Sequence, residues 1–264
     1  MAVGFSGKFI FIAGPCVIED RRSTMDIASR LKDITSAYPV EFVFKASFDK
    51  ANRTSVDSAR GPQLTKGLNI LAEVKNKLNL AVTSDVHCVQ QVKPAAEVLD
   101  IIQIPAFLSR QTDLIAAAAR SKKTVNIKKG QFMAPQDIKY AASKATACGN
   151  KHVLLTERGV SFGYNNLVVD FRSFLIMRQF GFPVIYDVTH SLQRPAAAGG
   201  ISGGDRQFVP AMARAAAACG VDGLFMEVHP KPEKSFSDKH TVFPLDKVKQ
   251  LLKTVLEIRA VSHD

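Results

Sequence analysis

The chain has no tryptophan and only four cysteines, Cys16, Cys88, Cys148 and Cys219, with no CxxC pair among them. Thiols so sparse and so scattered do not form a disulfide framework, and they predict a reducing cytoplasm. No apolar run approaches the length needed to cross a bilayer; residues 9–13 and 114–119 are among the longest. The start, MAVGFSGKF, has neither the apolar centre of a secretory signal nor the Arg/Ser-rich character of a transit peptide. No GxGxxG follows the first strand, and no Walker loop, HExxH or low-complexity tract occurs. Dinucleotide binding of the doubly wound kind and nucleotide hydrolysis are thereby disfavoured. The net charge of +11 raises nucleic acid as a partner, but the Lys and Arg residues are dispersed and no nucleic-acid motif accompanies them. The expectation is no nucleic acid and no membrane; a basic cleft for anionic substrates, on a solvated basic surface, accounts for the charge.

What is present is a regular alternation. Short β-rich runs lie at 9–13, 41–46, 81–85, 101–105, 124–127, 153–156, 184–188 and 223–228, and several are near-continuously apolar, as in parallel strands buried on both faces. Helix-like stretches lie between them, at 24–37, 64–78, 89–99, 112–121, 135–148, 169–180, 205–219 and 245–261. Eight strands each followed by a helix, over 264 residues without a linker, predict one domain over 1–264, a single α/β (β/α)₈ barrel.

Such a barrel builds its chemistry at the carboxyl ends of the strands. Those positions here read GPCVIE (14–19), KASFDKANRTS (45–55), SDVH (84–87), QIPAFLSRQTD (103–113), NIKKGQ (126–131), TERG (156–159), DVTH (187–190) and EVHP (227–230). Lys45, Lys50, Arg53, Lys128 and Arg158 would converge on one mouth and suit phosphate and carboxylate groups. Cys16, His190, Glu227 and Asp238 follow strands that become neighbours on closure, and this mixed donor set suits a divalent transition metal. Taken singly, Cys16 also fits a small buried hydrophobe, His190 a hydrogen-bonded histidine and Asp238 a loop acid. The glycine-rich stretch 196–204 reads as a mobile lid or a plain connector, and Asn165-Asn166 as a turn.

Seven segments carry a resemblance over almost the whole length: IAGPCVIE (12–19), FKASFDKANRTS (44–55), DIIQIPAFLSRQTDL (100–114), NIKKGQF (126–132), LTERGVSFGYNNLVVDFRS (155–173), YDVTHSLQ (186–193) and FMEVHPKPEKSFSD (225–238). They are similar to the 3-deoxy-D-manno-octulosonate 8-phosphate synthase family. The resemblance implies a homotetrameric cytoplasmic enzyme of lipopolysaccharide (or plant cell-wall) sugar synthesis. Its substrates would be phosphoenolpyruvate and arabinose 5-phosphate. It assigns Lys50, Lys128 and Arg158 to phosphoenolpyruvate. Lys45, Asn52, Arg53, Thr54 and Asp85 fall to the aldose phosphate, with Gln103 nearby; Ser202 is expected to bind substrate, and Phe107 and Arg110 reach a neighbouring subunit's site. Lys50, Asp85, Lys128 and His190 are the expected catalytic residues. Cysteine at position 16 places the chain in the metal-dependent class, with Cys16, His190, Glu227 and Asp238 holding Zn, Fe, Mn or a similar ion. Thr54, Asp57, Ser109 and Arg194 depart from the usual residues. The sister reaction on erythrose 4-phosphate is disfavoured because its family typically has Lys-Pro-Arg where this chain has Lys50-Ala-Asn-Arg53.

Overall fold

A computed structural model describes residues 7–53, 55–198 and 201–262 of the chain. Eight parallel strands close on themselves: β1 (Phe9–Gly14), β2 (Val40–Lys45), β3 (Ala81–Asp85), β4 (Ile101–Ile104), β5 (Thr124–Lys128), β6 (Val153–Glu157), β7 (Val184–Asp187) and β8 (Gly223–His229). Closure comes from β1 pairing with β8, Ile10 opposite Gly223 and Gly14 opposite Glu227. Eight helices form the outer ring: α1 (Arg21–Ser36), α2 (Leu64–Leu78), α3 (Val89–Val98), α4 (Thr112–Arg120), α5 (Ile138–Ala147), α6 (Arg172–Arg178), α7 (Val209–Ala218) and α8 (Val248–Ser262). The expected (β/α)₈ barrel is what the chain forms. No helix among the described residues is long and apolar enough to cross a membrane.

Strand periodicity divides the apolar residues into two layers, because successive side chains alternate between the faces of a strand. Ile10, Ile12, Val43, Ile101, Leu154, Ile185 and Phe225 pack together inside the barrel. The opposite set, including Phe9, Phe11, Phe44, Val82, Ile102, Val125, Leu155 and Val184, packs outward against the helices. Continuing the inward parity toward the carboxyl ends gives Lys45, Asp85, Gln103, Lys128, Thr156, Asp187 and Glu227. The barrel is therefore apolar up to Phe225 and polar above it.

Local signals fix several boundaries. The Asp20 side chain accepts from Ser23 N at 2.9 Å and caps α1. Asn79, in the left-handed conformation at φ 51°, ends α2. Gly14 permits a close approach of β1 to β2, since a Cβ there would lie 1.9 Å from Lys45 O.

Some expected helix bounds need correction, 135–148 and 245–261 also opening with a 3-10 turn, and one expected loop has regular structure. α6 is shorter than 169–180, because Ser173 N turns back to Asp170 O at 2.8 Å and the chain before Arg172 is a turn. Helix 205–219 begins as a single 3-10 turn, Arg206–Phe208, and becomes α-helical only at Val209, with Pro210 in the first turn, where a missing N–H costs nothing. The stretch 196–204, expected as a mobile lid or plain connector, is largely an antiparallel hairpin, Gln193–Ala198 with Ile201–Gly204, pairing Gln193 with Gly204 and Arg194 with Gly203. Arg194 anchors it through Asp205 at 2.7 Å. A second hairpin, Val160–Ser161 with Leu167–Val168, follows β6, and Asn165 turns its tip at φ 54°.

Candidate active site

The inward residues of β3 to β6 and one loop serine form a chain of hydrogen bonds across the mouth. Thr156 Oγ1 donates to Asn126 Oδ1 at 2.6 Å, and Asn126 Nδ2 donates to Gln103 Oε1 at 2.9 Å. Gln103 Nε2 donates in turn to Asp85 Oδ1, and Ser47 Oγ to Asp85 Oδ2 at 2.7 Å. Each member is oriented by the one before it, which fixes the direction of the amides. Burial alone would raise the Asp85 carboxyl, but the positive groups of Lys45, Lys50 and Lys128 outweigh it and hold Asp85 well below the usual carboxylate range.

Lysines flank this chain on both sides, Lys45 on β2, Lys50 after it and Lys128 on β5. Lys45, 1% exposed, donates to Glu227 Oε1 at 2.7 Å and to Cys16 O at 3.0 Å. Lys50 Nζ approaches the same Glu227 oxygen at 3.5 Å. Burial works against its charge, but the Cys16 sulfur and the carboxylates of Glu227, Asp85 and Asp238 raise its pKa above the ordinary lysine value. Lys128 bonds Asp187 Oδ2 and lies 3.4 Å from the centroid of the Phe225 ring, which seals the barrel below it. Burial lowers its pKa, against the pull of Asp187 and Asp85. Arg158, 5% exposed, gives Nη2 to Gln193 Oε1 at 2.7 Å and leaves Nη1 buried with no partner among the described residues.

These groups surround a cavity of about 290 Å³. Of the residues expected from the sequence, Lys45, Lys50, Asn52, Asp85, Gln103, Phe107, Lys128, Arg158 and His190 line it. Three buried polar atoms of its wall, His87 Nδ1, Gln131 Oε1 and Arg158 Nη1, have no partner among the described residues. Burying such atoms costs free energy unless a ligand satisfies them.

Beside the cavity, Cys16 Sγ donates to Asp238 Oδ2 at 3.0 Å. Ligand atoms of Cys16, Glu227 and Asp238 lie within 4.8 Å of one another. His190 Nε2 is 3.4 Å from Glu227 Oε1, while its Nδ1 pairs with Asp187 Oδ2 at 2.7 Å. A carboxylate behind a histidine in this manner orients the ring toward a ligand on its other side. Glu227 Oε2 is buried with no partner among the described residues. A thiol and two carboxylates with an unsatisfied oxygen fit a divalent transition metal, whereas His190, expected as a fourth ligand, stands beside this trio and is not part of it. Without one, burial and the Glu227 charge push the Cys16 thiol well up.

Other expected residues lie elsewhere. Arg53 is absent from the cavity wall: its guanidinium donates to Ala59 O at 3.0 Å, Ser237 Oγ at 2.8 Å and Phe236 O at 3.3 Å. Arg110 is exposed beyond the β4 loop, away from this cavity. Thr54 lies outside the described residues. Ser202 belongs to the second strand of the 193–204 hairpin, and its side chain also lies outside them. Asp57 is exposed, and Ser109 is buried, with Oγ donating to Ala106 O at 2.8 Å. Asp187, which joins Lys128 to His190, and Gln193, which joins Arg158 to Asp238, were given no role by the sequence reading. The inward parity of β7 would have found Asp187; nothing local marks Gln193.

A family model described as the DAHP synthetase I family matches residues 1–262. The chain is similar to the 2-dehydro-3-deoxyphosphooctonate aldolase of Desulfatibacillum aliphaticivorans, 57% identical over 262 residues, 99% of this chain and 96% of the relative. That of Geotalea uraniireducens (strain Rf4) is 55% identical over 259 residues, 98% of this chain and 95% of the relative. That of Syntrophotalea carbinolica is 57% identical over 250 residues, 95% of this chain and 90% of the relative.

Proposed function

The chain belongs to the DAHP synthetase I family, and from that premise we infer that it is a transferase joining phosphoenolpyruvate to arabinose 5-phosphate. C3 of phosphoenolpyruvate bonds to the aldehyde carbon, water adds at C2, and inorganic phosphate leaves. The product is 3-deoxy-D-manno-octulosonate 8-phosphate, a precursor of lipopolysaccharide sugar. The observation that carries this reading is the cavity itself, with Lys45, Lys50, Lys128 and Arg158 around buried polar atoms that have no partner among the described residues.

Lys50, Lys128 and Arg158 bind phosphoenolpyruvate in this reading, the free Nη1 of Arg158 meeting a phosphate or carboxylate oxygen. Lys45, Asn52, Asp85 and Gln103 order the aldose, with Arg53 and Thr54 around its phosphate, and Ser202 is read as a further substrate-binding residue. Fixing both anions brings C3 to the aldehyde at reacting distance. The buried ammonium groups also stabilise the charge that develops as the enol attacks and C2 becomes cationic, in a site where water screens little. Asp85 and His190 hold or move protons at the reacting oxygens, His190 kept in orientation by Asp187.

Cys16, His190, Glu227 and Asp238 would hold a divalent metal, which orients and acidifies a neighbouring water or hydroxyl. The whole chain acts as one catalytic domain of a soluble cytoplasmic homotetramer, in which exposed Phe107 and Arg110 reach across to a second subunit. Phosphate release from phosphoenolpyruvate tests the reading, with arabinose 5-phosphate or erythrose 4-phosphate and with or without a chelator. Activity should require arabinose 5-phosphate, vanish on chelation and return with added divalent metal. Activity that survives thorough chelation would remove the metal assignment, and preference for erythrose 4-phosphate would overturn the substrate.

A further inference from the structure

Each carboxylate oxygen of Asp238 is tied, through one neutral side chain, to an arginine. Gln193 Nε2 donates to Oδ1 at 2.8 Å while Gln193 Oε1 accepts from Arg158 Nη2 at 2.7 Å. Ser237 Oγ donates to Oδ2 at 3.2 Å while accepting from Arg53 Nη1 at 2.8 Å. Both intermediaries thus face an arginine on one side and the Cys16–Glu227–Asp238 cluster on the other. Ser237 is 4% exposed, so its hydroxyl has little water to turn to.

The backbone leaves Asp238 in need of such support. It sits at φ 52°, with its carbonyl accepting from Thr241 N at 2.8 Å and Val242 N at 3.0 Å. That turn fixes where the Cα stands. Its carboxylate is then oriented by Gln193, Ser237 and the Cys16 thiol.

We propose that Gln193 and Ser237 are positioning residues that couple metal affinity at this cluster to occupancy of the two substrate subsites. Gln193 acts from the phosphoenolpyruvate side through Arg158, and Ser237 from the aldose-phosphate side through Arg53. The proposal rests on reading those two arginines as anion-binding groups. Donor counting gives the sign. A guanidinium has five N–H donors. Arg158 can meet an anion with its unpartnered Nη1 and keep Nη2 on Gln193. Arg53 spends three donors on protein and keeps two for a phosphate without releasing Ser237. An anion therefore immobilises each arginine, the arginine its intermediary, and the intermediary the ligating carboxylate. Each substrate should tighten the metal, and by linkage the metal should tighten each substrate by the same factor.

The test titrates Co²⁺ into chelator-stripped full-length protein and follows the sulfur-to-cobalt absorption, alone, with phosphoenolpyruvate and with arabinose 5-phosphate. In the wild type each substrate should lower the cobalt dissociation constant by about 5-fold or more. Gln193→Leu should lose the phosphoenolpyruvate effect and keep the other, whereas Ser237→Ala should do the reverse. Ser237→Thr, which keeps a hydroxyl, should restore the aldose effect. Variants that keep both effects, or lose both alike, would overturn the proposal. Wild-type turnover measured alongside separates the two readings. Turnover without any substrate effect on cobalt overturns the coupling alone, and absence of both turnover and effect overturns the two together.

Discussion

Lys128 has been taken almost wholly out of water and set against a phenyl face and a carboxylate. Such a group raises no surface solubility and contributes chiefly through an anion brought to it. Lys128→Met, of similar volume, should therefore lower kcat/KM for phosphoenolpyruvate by about 10²–10³-fold. The thermal midpoint should change by only a few degrees; collapse of the fold would assign Lys128 a structural role instead. Asp85 gives a pH signature. Its folded-state pKa is depressed, so its contribution to stability is present above the unfolded-state pKa and is lost as pH falls below about 4. The stability gap between wild type and Asp85→Asn should be constant from pH 7 to about 5 and narrow below 4, as read by urea unfolding at each pH. A gap independent of pH would rule out this ionisation as its source. Individual residues were legible where strand parity decides them: Lys45, Asp85, Gln103, Lys128 and Glu227 each occupy an inward position at a strand end. The setting of Arg53 was not legible, because its contacts Phe236 and Ser237 come from a loop more than 180 residues away in sequence.

Among the elements, β1 and β2 meet more closely than side chains normally allow. Gly14→Ala would drive a methyl into Lys45 O, and the strand bearing Lys45 would have to move. A loss of at least about 2 kcal/mol is expected in denaturant unfolding, since overpacking of this kind costs about 1–3 kcal/mol or more. An unchanged midpoint would mean that the strands shift apart freely. Barrel strands and most helices could be read from apolar runs and end signals. The hairpin Val160–Ser161 with Leu167–Val168 escaped because its two-residue strands are too short for periodicity to register. The hairpin at 193–204 escaped because alanine and glycine dominate it, and neither is a strand former.

At the scale of the molecule, eight alternations announced a closed barrel, yet nothing in them specified an oligomer. Phe107, Phe132 and Phe162, respectively 58%, 58% and 67% exposed, follow three consecutive strands and lie at the same end of the barrel. Exposed aromatics placed in this way suit an interface between copies. Sedimentation should give a tetramer, and Phe107→Ser should weaken it. Because Phe107 also lines its own cavity, Arg110→Ala, outside that wall, should lower activity if the site is shared, and a fully active monomer would exclude sharing. The closure of β1 on β8 also has a kinetic side. Cys16 is 1% exposed and meets Asp238 across 222 residues of chain, so its shelter is completed only when the last strand docks on the first. Cys88 stays exposed in the finished fold. Pulsed alkylation during refolding would thus carry its own clock, Cys88 labelling at every delay and Cys16 falling silent at the moment the ring of strands is sealed.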